Sequence, residues 1–241
     1  MTFVTIEKSD KMKRILGVMG DIMPLKYKCL ILDHDDTAVK STPDIHYPSF
    51  VQALKELRPN EKPITLEEFV GYCFNPGFSS LCKDIIQFTE IEQQHQQRVW
   101  KKYTESQIPD FYEHFPEIIQ EFKARGGIVT VVSHSERNRI ERDYSIHCGF
   151  SPDEIFGWEL EEHQRKPHPY PIKQILARFN LKETEVLVLD DLKPGMMMAR
   201  SCNVDFAAAG WSHSISEIKK QMKLEADYYF ETVEEFKNFV L

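Results

Sequence analysis

Two hydrophobic periods divide this chain. In its C-terminal half, short apolar runs alternate with stretches of helical spacing. Ile128–Val132, Glu154–Phe156, Val186–Leu189, Asp205–Ala208 and Tyr228–Phe230 predict buried strands, because short apolar runs bounded by polar turns mark parallel strands covered on both faces. Between and after them, Glu136–Cys148, Pro169–Phe179, Met196–Cys202, Ile215–Met222 and Val233–Phe239 predict helices, the last opened by a capping box from Thr232 to Glu235. One earlier run, Tyr27–Leu32, is also strand-like and ends in Asp33-His34-Asp35-Asp36-Thr37. From 43 to 125 the period is helical throughout. Pro43 suits a helix start, Phe50, Val51, Leu54 and Leu57 share one face, and Thr65 to Glu68 forms a second capping box. Asn75-Pro76-Gly77 is a turn, and the polar stretch Glu90–Gln107 reads as a surface helix with few apolar anchors, Trp100 among them.

Strands alternating with helices imply an α/β fold, a parallel sheet with helices on both faces. The chain therefore divides into an N-terminal extension (1–25), one discontinuous α/β core (26–40 and 113–241) and an inserted helical segment (41–112).

Composition narrows the field of functions. The 241 residues carry 30 Lys and Arg against 38 Asp and Glu, a formal charge of −8, and are 41 % hydrophobic. No apolar run reaches the roughly 18 residues of a membrane span. No basic tract offers itself to a phosphate backbone, so neither a membrane nor nucleic acid is expected as a partner. Cys29, Cys73, Cys82, Cys148 and Cys202 are odd in number, scattered and without a C-x-x-C pair, which points away from a disulfide framework or a zinc knuckle. The apolar stretch after Lys13-Arg14 is cut short by Asp21, unlike a secretion signal. A cytoplasmic protein is expected.

Candidate chemistry follows from position. Open parallel sheets place their sites at the carboxyl ends of the strands, and four polar signals fall there. Asp33 and Asp35, two residues apart on an extended chain, would present carboxylates on one face roughly 6–7 Å apart; an Asp-rich turn accounts for them equally well. Asp190-Asp191 is a second acidic strand end, or else favours the dipole of the following helix. Together these acids make an oxygen-only donor set suited to Mg²⁺ rather than zinc. Ser133 either caps the next helix or binds phosphate oxygens. Lys166, in Lys166-Pro167-His168-Pro169, is a solvated side chain or an ammonium held in place by its prolines.

The order of these signals, D-x-D-D-T, then apolar residues ending in Ser133, then K-P-x-P, then apolar residues ending in Asp190-Asp191, resembles the four motifs of the haloacid dehalogenase-like (HAD) hydrolases. The helical insertion after the first motif, and Ala226–Phe230 near the end, resemble the phosphoglycolate phosphatase and β-phosphoglucomutase branch. The resemblance covers Tyr27 to the C-terminus. It implies a Rossmann-like core with a helical cap, Asp33 as nucleophile and Asp35 as general acid and base. It further implies Ser133 and Lys166 on the phosphoryl oxygens, and Mg²⁺ held by Asp33, the main-chain carbonyl of Asp35, and Asp191 with Asp190. Two departures stand out. Asp36 replaces a frequent Gly, and Gly195 falls where many relatives carry a further acid.

The expected activity is Mg²⁺-dependent hydrolysis of a small phosphorylated metabolite, phosphoglycolate-like or sugar-phosphate-like, by a monomer or homodimer. Alternatives are a phosphomutase, which shares all four motifs, and a non-catalytic phospho-ligand binder, which would be expected to lack Asp33 or Asp35. Asp35 argues against dehalogenation, since the dehalogenases of the family lack that acid. Substrate contacts are expected from Thr37, from His134 unless it is a surface residue at a helix start, and from Asn75, Phe78 and Ser79 around the cap turn. The aromatic residues of 111–115 and Met196–Met198 read as packing.

Overall fold

The structure, a computed structural model, describes residues 24–241. All but the last two residues of the expected extension lie outside the described residues. Six strands form one sheet: β1 (Cys29–Leu32), β2 (Ile128–Val132), β3 (Glu154–Phe156), β4 (Val186–Asp190), β5 (Asp205–Ala209) and β6 (Tyr228–Phe230). Their order is β3-β2-β1-β4-β5-β6, with every pairing parallel. The chain thus runs outward from β1 to β3, then returns across β1 to continue from β4 to β6. That reversal places a crevice at the carboxyl ends of β1 and β4, the position where open α/β sheets bind ligands.

Alternation along the strands explains why both faces are covered. Cys29 and Ile31 of β1, with Val186 and Val188 of β4, enter one apolar cluster; Leu30, Leu32, Leu187 and Leu189 enter the other. Successive side chains point to opposite faces, so apolar residues at every position demand helices on each side. Helices Tyr170–Phe179, Lys193–Arg200 and Ser216–Glu225 cover the first face, and Phe115–Ala124, Arg137–Cys148 and Val233–Val240 the second.

Between β1 and helix Phe115–Ala124 the chain makes only helices, chiefly Tyr47–Leu57, Leu66–Phe74 and Glu90–Ser106. Val39 bridges to both Asp35 and Phe111, so the two ends of this excursion are joined at its root. Both expected capping boxes are present, at Thr65 and Thr232, and a third opens Glu90–Ser106 at Thr89. Glu90–Ser106 is more than a surface helix: it packs along Tyr47–Leu57, burying Gln96, Val99 and Thr104. Arg58 braces the pair, with its Nε and one terminal nitrogen on the two oxygens of Glu92 at 2.9 and 3.0 Å. Helix Lys193–Arg200 begins three residues earlier than its apolar spacing indicates and ends two residues sooner. Phe111 and Phe115 are buried, as are Met196 and Met198, whereas Met197 is exposed.

A buried polar chain ties the loop after β1 to the end of the helical insertion. The His34 Nε2 donates to Asp143 Oδ2 at 3.1 Å, and Arg142 Nε donates to Asp143 Oδ1 at 2.7 Å. Arg142 also reaches the carbonyl oxygens of Thr104 and Gln107, each at 3.0 Å. His34 and Asp143 are each only 1 % exposed, so neither finds water as a substitute partner. Asp143→Ala would leave the buried His34 imidazole without its acceptor and Arg142 Nε without its carboxylate, a loss of about 3–5 kcal/mol. Asp143→Asn keeps one acceptor and should cost clearly less. Urea denaturation of both variants checks this, and equal stabilities would refute the chain as a structural tie.

Candidate active site

The carboxyl ends of β1, β2 and β4 deliver the acids, Ser133 and, from a later loop, Lys166 to one crevice. Asp33 follows β1 directly, and its backbone N–H donates to Leu189 of β4 at 2.8 Å. Asp190 is the last residue of β4, one residue later than that strand's apolar run. Lys166 is no solvated side chain. It is 8 % exposed, and its Nζ lies 2.6 Å from Asp33 Oδ1 and 2.7 Å from Asp190 Oδ2. Burial by itself would push the ammonium down, but Asp190 and Asp33 outweigh it and hold Lys166 above its ordinary pKa.

Negative charge nevertheless exceeds positive. Asp33, Asp190 and Asp191 are all buried and bring one carboxylate oxygen each within 4.8 Å of the others. Burial, then repulsion from neighbouring carboxylates, lifts Asp190 and Asp191 above the usual carboxylate range, against the pull of Lys166 and His213. The three acids offer oxygen donors, their charge is only partly met by Lys166 and His213, and they are buried. That donor set fits a hard divalent cation of the Mg²⁺ type.

Asp35 sits in a different environment. Its Oδ1 accepts from Ser41 Oγ and His46 Nε2, both at 2.8 Å. Its Oδ2 accepts from Ser135 Oγ at 2.6 Å and Ser133 Oγ at 3.3 Å. Burial raises its pKa, but the charge and hydrogen bond of His46, with help from His34 and Ser135, hold the carboxyl well below the usual range. Trp100 Nε1 donates to His46 Nδ1 at 3.0 Å, which turns the imidazole so that its Nε2–H points at Asp35. Ser133 does not cap the following helix, whose N-cap is Glu136 without a side-chain bond. Its hydroxyl oxygen accepts from the Ser135 N–H at 3.1 Å instead.

Asp36 adopts φ 61°, and its carboxylate accepts the backbone N–H groups of Ser41 and Thr42 at 3.1 and 3.0 Å. The left-handed conformation explains why Gly suits this place, and Asp is among the residues that tolerate it. Gly195 has a reason too. A Cβ there would lie 2.2 Å from Asp190 Oδ2, so the Asp190 carboxylate fills the space that an acid at 195 would need.

Thr37 is buried, and its hydroxyl donates to Asp191 Oδ1 at 3.1 Å. His134 is exposed, with Nε2 on the carbonyl oxygen of Lys166 at 3.0 Å. Asn75 and Ser79 are exposed, Phe78 packs edge-on against Phe69 at 6.0 Å, and no hydrogen bond among the described residues joins these three to the acids. The nearby Cys73 does feel the centre: burial, Cys82 and then the Asp36 and Asp191 charges push its thiol up. Sequence reasoning missed His46, Ser41 and Ser135 around Asp35. It also missed His213, whose Nε2 lies 2.5 Å from Asp191 Oδ2. His213 follows β5, so the strand-end rule that found the acids extends to it as well. The same loop donates from Trp211 Nε1 to the Thr37 carbonyl oxygen at 3.1 Å.

The sequence model of the haloacid dehalogenase-like hydrolases matches residues 30–209. No curated protein matches the chain. Among solved structures, a predicted phosphoglycolate phosphatase from Haemophilus somnus superposes with TM-score 0.72 at 20 % identity, covering 90 % of this chain and 99 % of its own. A haloacid dehalogenase-like hydrolase from Streptococcus pneumoniae gives 0.70 at 17 % identity, over 90 % and 99 %. CbbY from Rhodobacter sphaeroides, in complex with phosphate, gives 0.67 at 14 %, over 86 % and 94 %. These likenesses extend the shared fold over the sheet and the helical insertion together.

Gly195→Ala should force Asp190 away from Lys166. Overpacking of this kind costs about 1–3 kcal/mol, read as a lowered midpoint in urea with an unchanged slope. A variant as stable as the parent would show that Asp190 has room to move.

Proposed function

The chain belongs to the haloacid dehalogenase-like hydrolase family, and from that membership we propose that it is a Mg²⁺-dependent phosphatase of small phosphomonoesters. The observation that carries this reading is the buried trio Asp33, Asp190 and Lys166, set beside an Asp35 with a different electrostatic task.

Asp33 is the nucleophile. Lys166 on its Oδ1 fixes the rotation of the carboxylate, which aligns the other oxygen for in-line attack on phosphorus. Asp35, ionised in the free site, takes the phosphomonoester's own proton on binding and passes it to the departing oxygen as the P–O bond to the leaving group breaks and the Asp33–phosphorus bond forms. In the second half, Asp35 removes a proton from water, and that water displaces phosphate from Asp33. One group serves both halves because the proton it gives to the departing alcohol is replaced by one taken from water. His46 keeps a proton at Nε2 against Asp35 Oδ1 and so holds the carboxyl in place between turnovers. Ser133 and Lys166 bind the phosphoryl oxygens, whose charge must be met by fixed donors. Asp33, the carbonyl of Asp35, Asp190 and Asp191 would hold Mg²⁺, which supplies charge neutralisation between the attacking carboxylate and the phosphoryl group. Residues 41–112 act as the cap, with Thr37, His134, Asn75, Phe78 and Ser79 on the side of the substrate.

Asp33→Asn should abolish release of p-nitrophenol from p-nitrophenyl phosphate while the circular dichroism spectrum stays that of the parent. Undiminished turnover would overturn the assignment. Lys166→Met should lower kcat by on the order of 10²–10³. EDTA should silence the parent enzyme and added Mg²⁺ restore it; activity that persists after exhaustive chelation would remove the metal from the reaction.

A further inference from the structure

Two tryptophans that the phosphoryl chemistry does not use stand at the Asp35 corner, one from each side of the seam between the helical insertion and the sheet. Trp100, on helix Glu90–Ser106, is joined to Asp35 through a single imidazole, that of His46. Trp158, in the loop after β3, is joined to the same carboxylate through a single residue. Its backbone N–H donates to the Ser135 carbonyl oxygen at 2.9 Å, and the Ser135 hydroxyl is on Asp35. Both indoles are partly exposed. Their centroids are 6.4 Å apart and their planes are inclined by 56°, a tilted contact rather than a parallel stack. The Arg165 guanidinium lies 3.8 Å from the Trp158 centroid, held there by its Nε on the Leu160 carbonyl oxygen at 2.7 Å. His134 meets Trp158 edge-on at 6.2 Å.

Asp35 is where the leaving oxygen departs, so the group attached to that oxygen must lie against whatever surrounds this corner. A pair of partly exposed indoles with a guanidinium over one of them is poorly matched to a small hydrophilic acid such as glycolate. It is well matched to a planar ring, since aromatic faces attract one another and a guanidinium alike. We propose that Trp100 and Trp158 select phosphomonoesters whose alcohol carries a planar heteroaromatic ring, as a nucleoside 5′-monophosphate does. This rests on the phosphatase reading above and names its substrate class.

The test compares adenosine 5′-monophosphate with ribose 5-phosphate, which share the same phosphorylated carbon and differ by the ring. Phosphate release is measured with Mg²⁺ present, and the readout is the ratio of the two kcat/KM values. The ratio should exceed tenfold in the parent and fall by at least tenfold in Trp158→Leu, because stacking of one base on an aromatic side chain has about that effect. The backbone N–H that ties residue 158 to Ser135 survives the substitution. Trp158→Phe should restore most of the ratio, which separates a lost ring from a misfolded loop. Parent kcat/KM values that are equal for the two substrates overturn the proposal. So does a ratio unmoved by Trp158→Leu, or a proportionate loss of both activities, which would mark the indole as packing across the seam. Release from no phosphomonoester at all, p-nitrophenyl phosphate included, instead overturns the phosphatase reading itself and this inference with it.

Discussion

One imbalance of charge governs the carboxyl edge of this sheet. Three buried carboxylates converge within 4.8 Å, and one buried ammonium, Lys166, bridges two of them. Removing any single partner from such a group leaves an uncompensated charge away from water, which is why buried ion pairs break expensively. The strands beneath must therefore be rigid enough to bring residues 33 and 190 together from opposite sides of the topological reversal. They are: β1 and β4 are parallel neighbours whose side chains are buried on both faces. The net charge of −8 does not by itself decide whether an anion binds there, because the local field is set by Lys166 and the buried carboxylates around it.

The two halves of the Asp33–Asp35 pair are kept chemically apart by what surrounds them. Asp33 faces the ammonium and the other acids. Asp35 faces hydroxyls and the His46 imidazole, and its own four hydrogen bonds favour its ionised form in the free site. Under the proposed mechanism, environments that differ this much across two residues would let one carboxylate act as nucleophile while its neighbour handles protons. The separation depends on the helical insertion, since Ser41 and His46 come from its first turns and Trp100 from its last long helix.

Much of this was legible in the sequence because it is local or tied to strand ends. Runs such as Val186–Leu189 identify themselves by apolar content alone, and the acids and serine that follow them inherit a position from sheet topology. Lys166 was legible only by its proximity to prolines, and the solvated alternative fails because two acids from distant strands enclose it. Helix Lys193–Arg200 starts three residues before the apolar spacing of Met196–Cys202 indicates, because its first turn, Lys193-Pro194-Gly195, carries no large apolar side chain to mark it. In the fold Pro194 sits at a helix start, and Gly195 lies inside the first turn because the Asp190 carboxylate occupies the volume of its side chain. A lack of side chain dictated by a residue five positions earlier leaves no periodic trace.

His46, Trp100, Trp158 and His213 were illegible for a further reason. Each acquires its role from a partner distant in sequence, with separations of 11 residues for His46 to Asp35, 54 for Trp100 to His46 and 22 for His213 to Asp191. Periodicity assigns a tryptophan to an apolar face and a histidine to a polar one, and both assignments hold here without disclosing any contact. The phosphoryl half of the site is therefore written in short motifs at strand ends, whereas the half that meets the leaving group is assembled from single side chains on separate elements. Substitutions at those elements can change what is recognised without disturbing Asp33, Asp190 or Lys166, because no hydrogen bond in the described residues connects either tryptophan directly to that trio.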